Sequence, residues 1–539
     1  MTTTPDPDTL RADVLVVGGG PAGTWAALAA AATGATVVLA DKGHCGSSGA
    51  TAAAGTGIWY VGPDPEDRAR AKASREALGG HLAEHHWMDR VLDRTYELVG
   101  DLATRGRYPF PRDGDGREIR TGVQGPEYMR RMRTRVLRAG VRVLDHSPVT
   151  ELLVDAEGSV SGAAGVRLRR GGTYRVEAGA VVLATGGCAF RSGTLGCHPN
   201  TGDGALLAVE AGAGLSGMEF SNAYAIAPAG TSLTKTAYYT YATFLHADGT
   251  VLDGAGSTRG RSTIARALLD EPVYCVLDRA DDDVRTAMRL GQPNFFLPFD
   301  RLGIDPFTEP FPVTLLLEGT VRGTGGVHVT GDDCSTGVPG LYVAGDTATR
   351  ELVCGGFTGG GSHNAAWAMS SGSWAGDGAA RHARCRTGVR PVLRPGGDAG
   401  LRPGGARPGP GPHESEVVAE VQRRVLPYET NLFRTGIGLA AALAGLDDVW
   451  TQVRTALRPA SHSARDVLRA REAAAMTAHA RWMYSAALAR TESRGMHRRT
   501  DHPDLDPAQH HRLRVHGLDR ITLTPSPVGD REPTTAVVR

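Results

Sequence analysis

The chain has 539 residues, 41% hydrophobic and 22% charged, a balance that excludes a disordered chain, a collagen or a disulfide scaffold and leaves room for two or three domains. Its 59 basic and 58 acidic side chains nearly cancel, to +1, so no overall field draws it to nucleic acid or an anionic membrane. Glycine is the outlier: 72 residues, roughly twice average usage, in short bursts that mark backbone passing close to something.

Seven cysteines, from Cys45 to Cys385, form no C-x-x-C pair, which argues against a zinc site or an iron–sulfur cluster and predicts reduced thiols. The start, MTTTPDPDTL, is acidic and polar where a secretory signal is basic and then apolar, and no apolar run is long enough to span a bilayer. The expected location is the cytoplasm.

In chain order, ADVLVV at 12–17 predicts a buried parallel strand, which breaks into GGGPAG at 18–23. A helix is expected over 25–32, and TVVLA at 36–40 reads as a second strand ending at Asp41. Gly18, Gly20 and Gly23 have the G-x-G-x-x-G spacing in the context the mechanism needs, after a strand and opening a helix, so the unit predicts a dinucleotide-binding βαβ motif. Gly20 lets a pyrophosphate approach the backbone beside Pro21 and Ala22, and the Asp41 carboxylate suits a ribose hydroxyl. The plain alternative is a structural turn in some other α/β sheet, and the motif alone does not choose NAD over FAD.

Three strand-like runs between Glu151 and Ala184, parted by Gly-containing turns, predict a β-meander that exits through Thr185, Gly186 and Gly187. From 217 to 324 aromatic residues gather and turns multiply, which suggests an inserted domain. A second strand-GD signal ends at Gly345 and Asp346, followed by a helix-like stretch at 364–374. Asp346 suits a ribityl hydroxyl, and amides at Ser362, His363 and Asn364 would stand at a helix start facing the electron-rich end of a flavin, which favours FAD. Residues 386–412 are about half Gly plus Pro and read as a loose linker. Beyond them Val417, Val418, Val421 and Val425 share a helical face, and 467–488 is strongly helical, so a C-terminal helical domain is expected.

Eight blocks in register, VLVVGGGPAG, SGATAAAG, VVLATGG, NTGDG, GRSTIARAL, GIDPFTEPFPV, VPGLYVAGD and ESRGMH, resemble the flavoprotein subunits of succinate dehydrogenase and fumarate reductase, with L-aspartate oxidase and the α subunit of adenylylsulfate reductase. The resemblance implies an α/β chain: a Rossmann-like FAD-binding domain in two segments (12–216 and 325–385), an inserted α+β capping domain (217–324), the linker, and a C-terminal helical domain (413–520). It extends the cofactor contacts to Lys42, Ser48, Gly49 and Asp203. Arg261 falls where the family places the arginine that donates or accepts a proton beside the substrate; its structural alternative is a surface pair with Asp270. Ala50 stands where the respiratory enzymes carry the histidine tethered to FAD, so the flavin is expected without a covalent link.

Two substrate blocks of the family have no clear counterpart. Residues 321–324 (VRGT) stand where its substrate histidine would be, and 354–359 (CGGFTG) near its dicarboxylate-gripping segment, which speaks against fumarate or succinate as substrate. The stretches SGATAAAG and GGGSHNAAWAM look closer to the adenylylsulfate reductase branch, where a ferredoxin-like subunit supplies electrons. Arg322 and Glu318 are further candidates for substrate contact, with an internal ion pair as the alternative. His363 is a candidate flavin donor or proton relay, or contributes only its amide. Tyr238, Tyr239 and Tyr241 line a pocket or simply pack, Cys354 reads as a small loop residue, and Arg494 and His497 read as a flavin-side block or a helix cap.

The expected activity is that of an FAD-dependent oxidoreductase moving a hydride between flavin N5 and a small polar, anionic molecule, with Arg261 as the proton relay. The alternatives are an aspartate-oxidase-like amine oxidase using oxygen and an electron carrier paired with a ferredoxin-like partner.

Overall fold

In the computed structural model the residues described are 8–234, 236–257, 260–358, 362–386, 392–404 and 411–529. The apolar run at the start ends the strand Asp8–Val17, whose last four residues are buried. It lies parallel to Val37–Ala40 on one side and to Thr173–Leu183 on the other. Such a strand is buried on both faces, which is why it reads as a continuous apolar run and not as an alternation. Outward from it, Val37–Ala40 pairs with Arg142–Leu144, and Thr173–Leu183 closes the antiparallel meander Val149–Val154, Val160–Val166, Thr173–Leu183 while also pairing with Leu341–Val343.

The helix Pro21–Ala32 is built largely of alanine and packs on the long helix Ser362–Cys385. Gly372 and Gly376 lie so close to the carbonyls of Ala22 and Ala26 that neither position has room for a Cβ. That contact brings the second Gly-rich segment back onto the first, far apart in sequence.

The inserted region carries a four-stranded antiparallel sheet in the order Ala223–Pro228, Phe311–Gly319, Val273–Val276, Thr243–Leu245. The helices Arg261–Asp270, Asp282–Gly291 and Pro293–Leu302 accompany it. Phe295, Phe296 and Phe299 are buried, and Tyr239 is packed between Phe244 and Phe295, so that aromatic is core and not pocket.

Helices Glu414–Val425, Gly436–Thr455 and Ala464–Ala489 form the C-terminal part, with all four valines of the predicted face buried. It does not end as helix. The hairpin His511–His516 and Thr522–Pro527 adds to Leu215–Ser216, a pairing across distant parts of the chain that no local pattern announces.

The loose-linker expectation needs correction where the residues are described. Arg394–Pro395 pairs with the edge strand Val149–Val154. Glu210 accepts from the amides of Asp398 and Ala399 at 3.2 Å each, and Arg471, which is ion-paired with Glu210, donates to the Ala399 carbonyl at 2.8 Å. A buried charge pair thus anchors a segment whose composition lacks apolar surface. Residues 387–391 and 405–410 lie outside the described residues. No helix among the described residues is long and apolar enough to cross a membrane.

Candidate active site

One cavity of about 1120 Å³ runs between the glycine turns, the region of the four-stranded antiparallel sheet and the start of the Ser362–Cys385 helix. It exceeds the ~300–1,000 Å³ of ordinary small-molecule sites, which leaves room for a dinucleotide together with a substrate. Gly18, Gly20, Pro21, Ala22, Asp41, Ser48, Gly49, Thr185, Gly186, Gly345, Asp346, Ser362 and Asn364 all line it, as do Arg261 and Arg322 from the other side of the chain's topology.

The three motif glycines do three different things. Gly18 has φ of +108° and its Cβ would strike the Ala184 carbonyl, so it makes the turn. At Gly20 a Cβ would point into open space, consistent with backbone bared to the cavity. Gly23 is a correction: it does not line the cavity but presses the helix onto the Gly18 carbonyl, where a Cβ has no room. Gly20 caps the helix without a side-chain hydrogen bond, so the first-turn amides remain available to an anion.

Asp41 is 5% exposed and accepts from the Gly43 amide at 2.6 Å and the Ser48 hydroxyl at 3.1 Å. Burial pushes its carboxyl above the ordinary value, and these hydrogen bonds oppose the rise. Ser48 therefore orients Asp41. Lys42 and Asp203 also line the cavity, with their charged groups paired to one another and to neighbours. The Lys42 ammonium pairs with Asp203 and with Glu472 at 2.7 Å, and donates to Pro199 O and Thr201 Oγ1 at 2.9 Å each. Burial works against that ammonium, yet the two carboxylates outweigh it and raise its proton affinity.

Arg261 is the first residue of the helix Arg261–Asp270, which begins after Gly260 at φ +106°, where the Gly254 carbonyl leaves no space for a Cβ. Its Nη1 donates to Tyr224 O at 3.4 Å, and its Nε is buried with no hydrogen-bond partner among the described residues. The surface pair with Asp270 does not form. Burial and the nearby positive Arg322 lower its pKa to about 10, while Glu318 pulls it up. Arg322 Nε stands 2.8 Å from the buried Glu318 carboxylate, which also accepts from Thr234 Oγ1 at 3.1 Å. Glu318 is not part of the cavity wall; it acts on the wall through Arg322.

His363 is a second correction. Its imidazole is fully buried against Trp59, ring centroids 4.4 Å apart, with Nδ1 3.1 Å from Ser362 Oγ, and it does not line the cavity. Arg494 and His497 are likewise absent from the wall; they are buried in a charge cluster, Arg494 on Glu492 at 2.6 Å and His497 Nδ1 at 2.7 Å from Arg434.

The sequence gives no sign of Arg350, Gln292 or Arg75, whereas Asn364 and Tyr238 are among its candidates. Arg350, 1% exposed, pairs with Asp346 at 2.5 Å and donates to Thr320 O at 3.1 Å, to Val321 O at 3.3 Å and to the Gly323 carbonyl, so it ties the strand-GD turn to the segment bearing Arg322. Asn364 Nδ2 binds Val321 O at 2.8 Å in the same join. Gln292 enters the wall with its Nε2 buried and without a partner among the described residues. Tyr238 lines the wall as well, its hydroxyl donating to Met288 O at 2.7 Å and its pKa pushed up to about 12 by burial. Arg75 is a further cationic wall residue. No spacing-based signal exists for Arg350, Gln292 or Arg75.

Residues 13–234 match the FAD binding domain family and residues 422–529 the fumarate reductase flavoprotein C-terminal family. L-aspartate oxidase of Mycobacterium leprae (strain TN) is 30% identical over 537 residues, covering 92% of this chain and 93% of that protein. The fumarate reductase flavoprotein of Mycobacterium tuberculosis is 27% identical over 608 residues, covering 97% of this chain and 99% of that protein. A solved quinol–fumarate reductase superposes with a TM-score of 0.82 at 22% identity, covering 97% of this chain and 99% of that one. The likeness covers 92% of this chain against the first of these proteins and 97% against the other two, and the chain therefore belongs to the succinate dehydrogenase/fumarate reductase flavoprotein family and is an FAD-dependent oxidoreductase.

Proposed function

We propose that this enzyme interconverts a single and a double carbon–carbon or carbon–nitrogen bond in a small anionic molecule, with Arg261 as the proton donor or acceptor. The observation that carries the reading is Arg261 itself: a half-buried arginine in the cavity wall whose Nε is buried and unpartnered among the described residues, in the same cavity as the dinucleotide-type turns. FAD would be held without a covalent bond by the Gly20 backbone, the first-turn amides of Pro21–Ala32, Asp41 and Asp346, and would supply hydride chemistry at N5. The protein's share is binding and protonation. Guanidinium normally keeps its proton, but burial and Arg322 bring Arg261 down to about 10, which makes release of that proton to a reacting carbon less costly. Arg322, neutralised by Glu318, limits the repulsion that two adjacent guanidinium groups would otherwise exert.

The test is Arg261→Gln. FAD content is expected to stay at the wild-type level while turnover falls by about 10²–10⁴-fold, the usual share of a positioned acid–base group. Fumarate offered to reduced enzyme and L-aspartate offered to oxidised enzyme, with a panel of other small carboxylates, provide the assay. Unchanged turnover removes the role of Arg261, and a protein that refuses FAD removes the whole reading.

A second reading is favoured by the 30% identity to an L-aspartate oxidase over nearly the whole chain: oxidation of an amine with oxygen as acceptor. Fast peroxide release on reoxidation in air distinguishes it from an enzyme that returns electrons to a protein partner such as a ferredoxin-like subunit.

A further inference from the structure

We infer that Arg75 is a substrate-binding residue, the guanidinium with which the FAD-binding domain grips the anionic group of the substrate in the cavity that Arg261 and Arg322 also line. The inference rests on the reading of the cavity as an anion-processing site.

Arg75 sits in the last turn of the helix Pro65–Leu78, a surface helix with no fully buried residue. The other cations of that helix have counter-charges: Arg68 pairs with Asp93, Arg70 with Asp67, and Lys72 with Asp89 at 2.6 Å. Arg75 departs from that pattern. It lines the cavity, half-buried, and among the described residues no carboxylate pairs with it and no group accepts a hydrogen bond from its side chain. A place near the helix C-terminus favours a cation, yet that would be satisfied equally well with the side chain in water.

The end of this helix is fixed in place. Gly79 approaches the Cys354 carbonyl so closely that a Cβ has no room, and the Gly356 amide donates to Gly79 O at 2.8 Å. The loop so joined places Phe357 and Thr358 in the cavity wall, and neither carries a charge. The ionisable neighbour of Arg75 there is Cys354, whose thiol burial pushes up to about 11, so it is neutral and no counter-ion. Burial lowers the proton affinity of Arg75 itself. A guanidinium that gives up water without a carboxylate partner costs free energy, and an anionic ligand in the cavity offsets that cost by a charge-assisted, bidentate contact.

The test uses FAD-loaded enzyme with malonate as the anion probe and uncharged malonamide as its control, binding being read by calorimetry and by the flavin absorbance change. Malonate is expected to bind wild-type enzyme and malonamide not to. In Arg75→Gln malonate binding weakens at least ~10-fold while FAD affinity and thermal midpoint stay at wild-type values, and Arg75→Lys recovers part of the loss. Wild-type malonate affinity in Arg75→Gln overturns the assignment. So does a loss of FAD affinity with malonate binding intact, which would make Arg75 a cofactor residue. If wild-type enzyme itself ignores malonate, the anion-site reading fails first and this assignment with it.

Discussion

Arg322 Nε and the Glu318 carboxylate stand 2.8 Å apart in a nearly dry environment, the Glu318 side chain 0% and the Arg322 side chain 15% exposed. Because both also act on Arg261, one lowering and one raising its pKa, this pair sets the charge balance of the proposed proton donor. Glu318→Gln removes the one negative charge in the set and leaves Arg322 unneutralised, and both changes push Arg261 further below about 10. A donor must be protonated, so in the reducing direction kcat/KM falls as pH rises through the Arg261 value. That fall is expected to begin at lower pH in Glu318→Gln than in wild type. Profiles of kcat/KM against pH, with the fastest substrate from the carboxylate panel, check it; coincident alkaline limbs would separate Glu318 from Arg261.

Two glycines at the start of one helix, Gly20 and Gly23, predict opposite failures. Gly20→Val places its side chain in open cavity, so the protein is expected to fold with its normal thermal midpoint as apoprotein and to bind FAD at least ~10-fold more weakly for loss of the close backbone approach. Gly23→Val instead drives a side chain into the Gly18 carbonyl. Overpacking of that kind costs about 1–3 kcal/mol or more, and a lowered midpoint is expected even without cofactor. Equal behaviour of the two variants in a melt of the apoproteins contradicts the division of roles.

Ala50 lines the cavity and its methyl group offers no nucleophile for attachment. Acid precipitation of the holoenzyme is accordingly expected to leave all the flavin absorbance in the supernatant. Flavin fluorescence that stays with the denatured band on a gel would show a tether at another residue.

Local signals were sufficient for the glycine turns, because the G-x-G-x-x-G spacing, the preceding apolar strand and Asp41 all lie within one βαβ unit. Arg261, which lines the cavity, is singled out by a block of sequence and not by any neighbour it touches. His363 shows where such reading stops. Successive residues of a helix are rotated by about 100°, so Ser362, Asn364, Ala365 and Ala368 can line the cavity while His363 turns inward onto Trp59. Composition and motif fix a helix start but not the phase in which it docks. Arg350, Gln292 and Arg75 were illegible for a related reason: each acquires its place from partners on distant segments, and no spacing within the sequence encodes those approaches. The Glu210–Arg471 anchor of 392–404 belongs to the same class, a long-range charge contact that overrides a linker-like composition.

The cluster around Lys42 joins the end of the second strand to the long C-terminal helix, and its energetics give the last prediction. Lys42 Nζ is 2.7 Å from Glu472, which also pairs with Arg191, and the side chains of Lys42 and Glu472 are 20% and 6% exposed. Removing one member of a buried set leaves the others uncompensated, at a cost of about 3–5 kcal/mol. Glu472→Gln and Lys42→Met are both expected to unfold at clearly lower urea concentration than wild type, with FAD chemistry in the surviving folded fraction retained. The pH dependence separates this from a simple packing defect. Burial opposes the Glu472 carboxylate, but Lys42 and Arg191 outweigh it and hold its folded pKa below the ordinary 4.5. A depressed carboxylate contributes stability that is present above the unfolded value and lost as pH falls through the folded one. The wild-type advantage over Glu472→Gln should therefore be constant near neutrality and shrink progressively below about pH 4.5. Lys42 adds nothing to that acid window, since its pKa is raised and its contribution is complete at every pH below its ordinary 10.5. A stability difference that stays the same from about pH 7 to about pH 3 would mean that Glu472 fills space in the joint and carries no charge-dependent part of its strength.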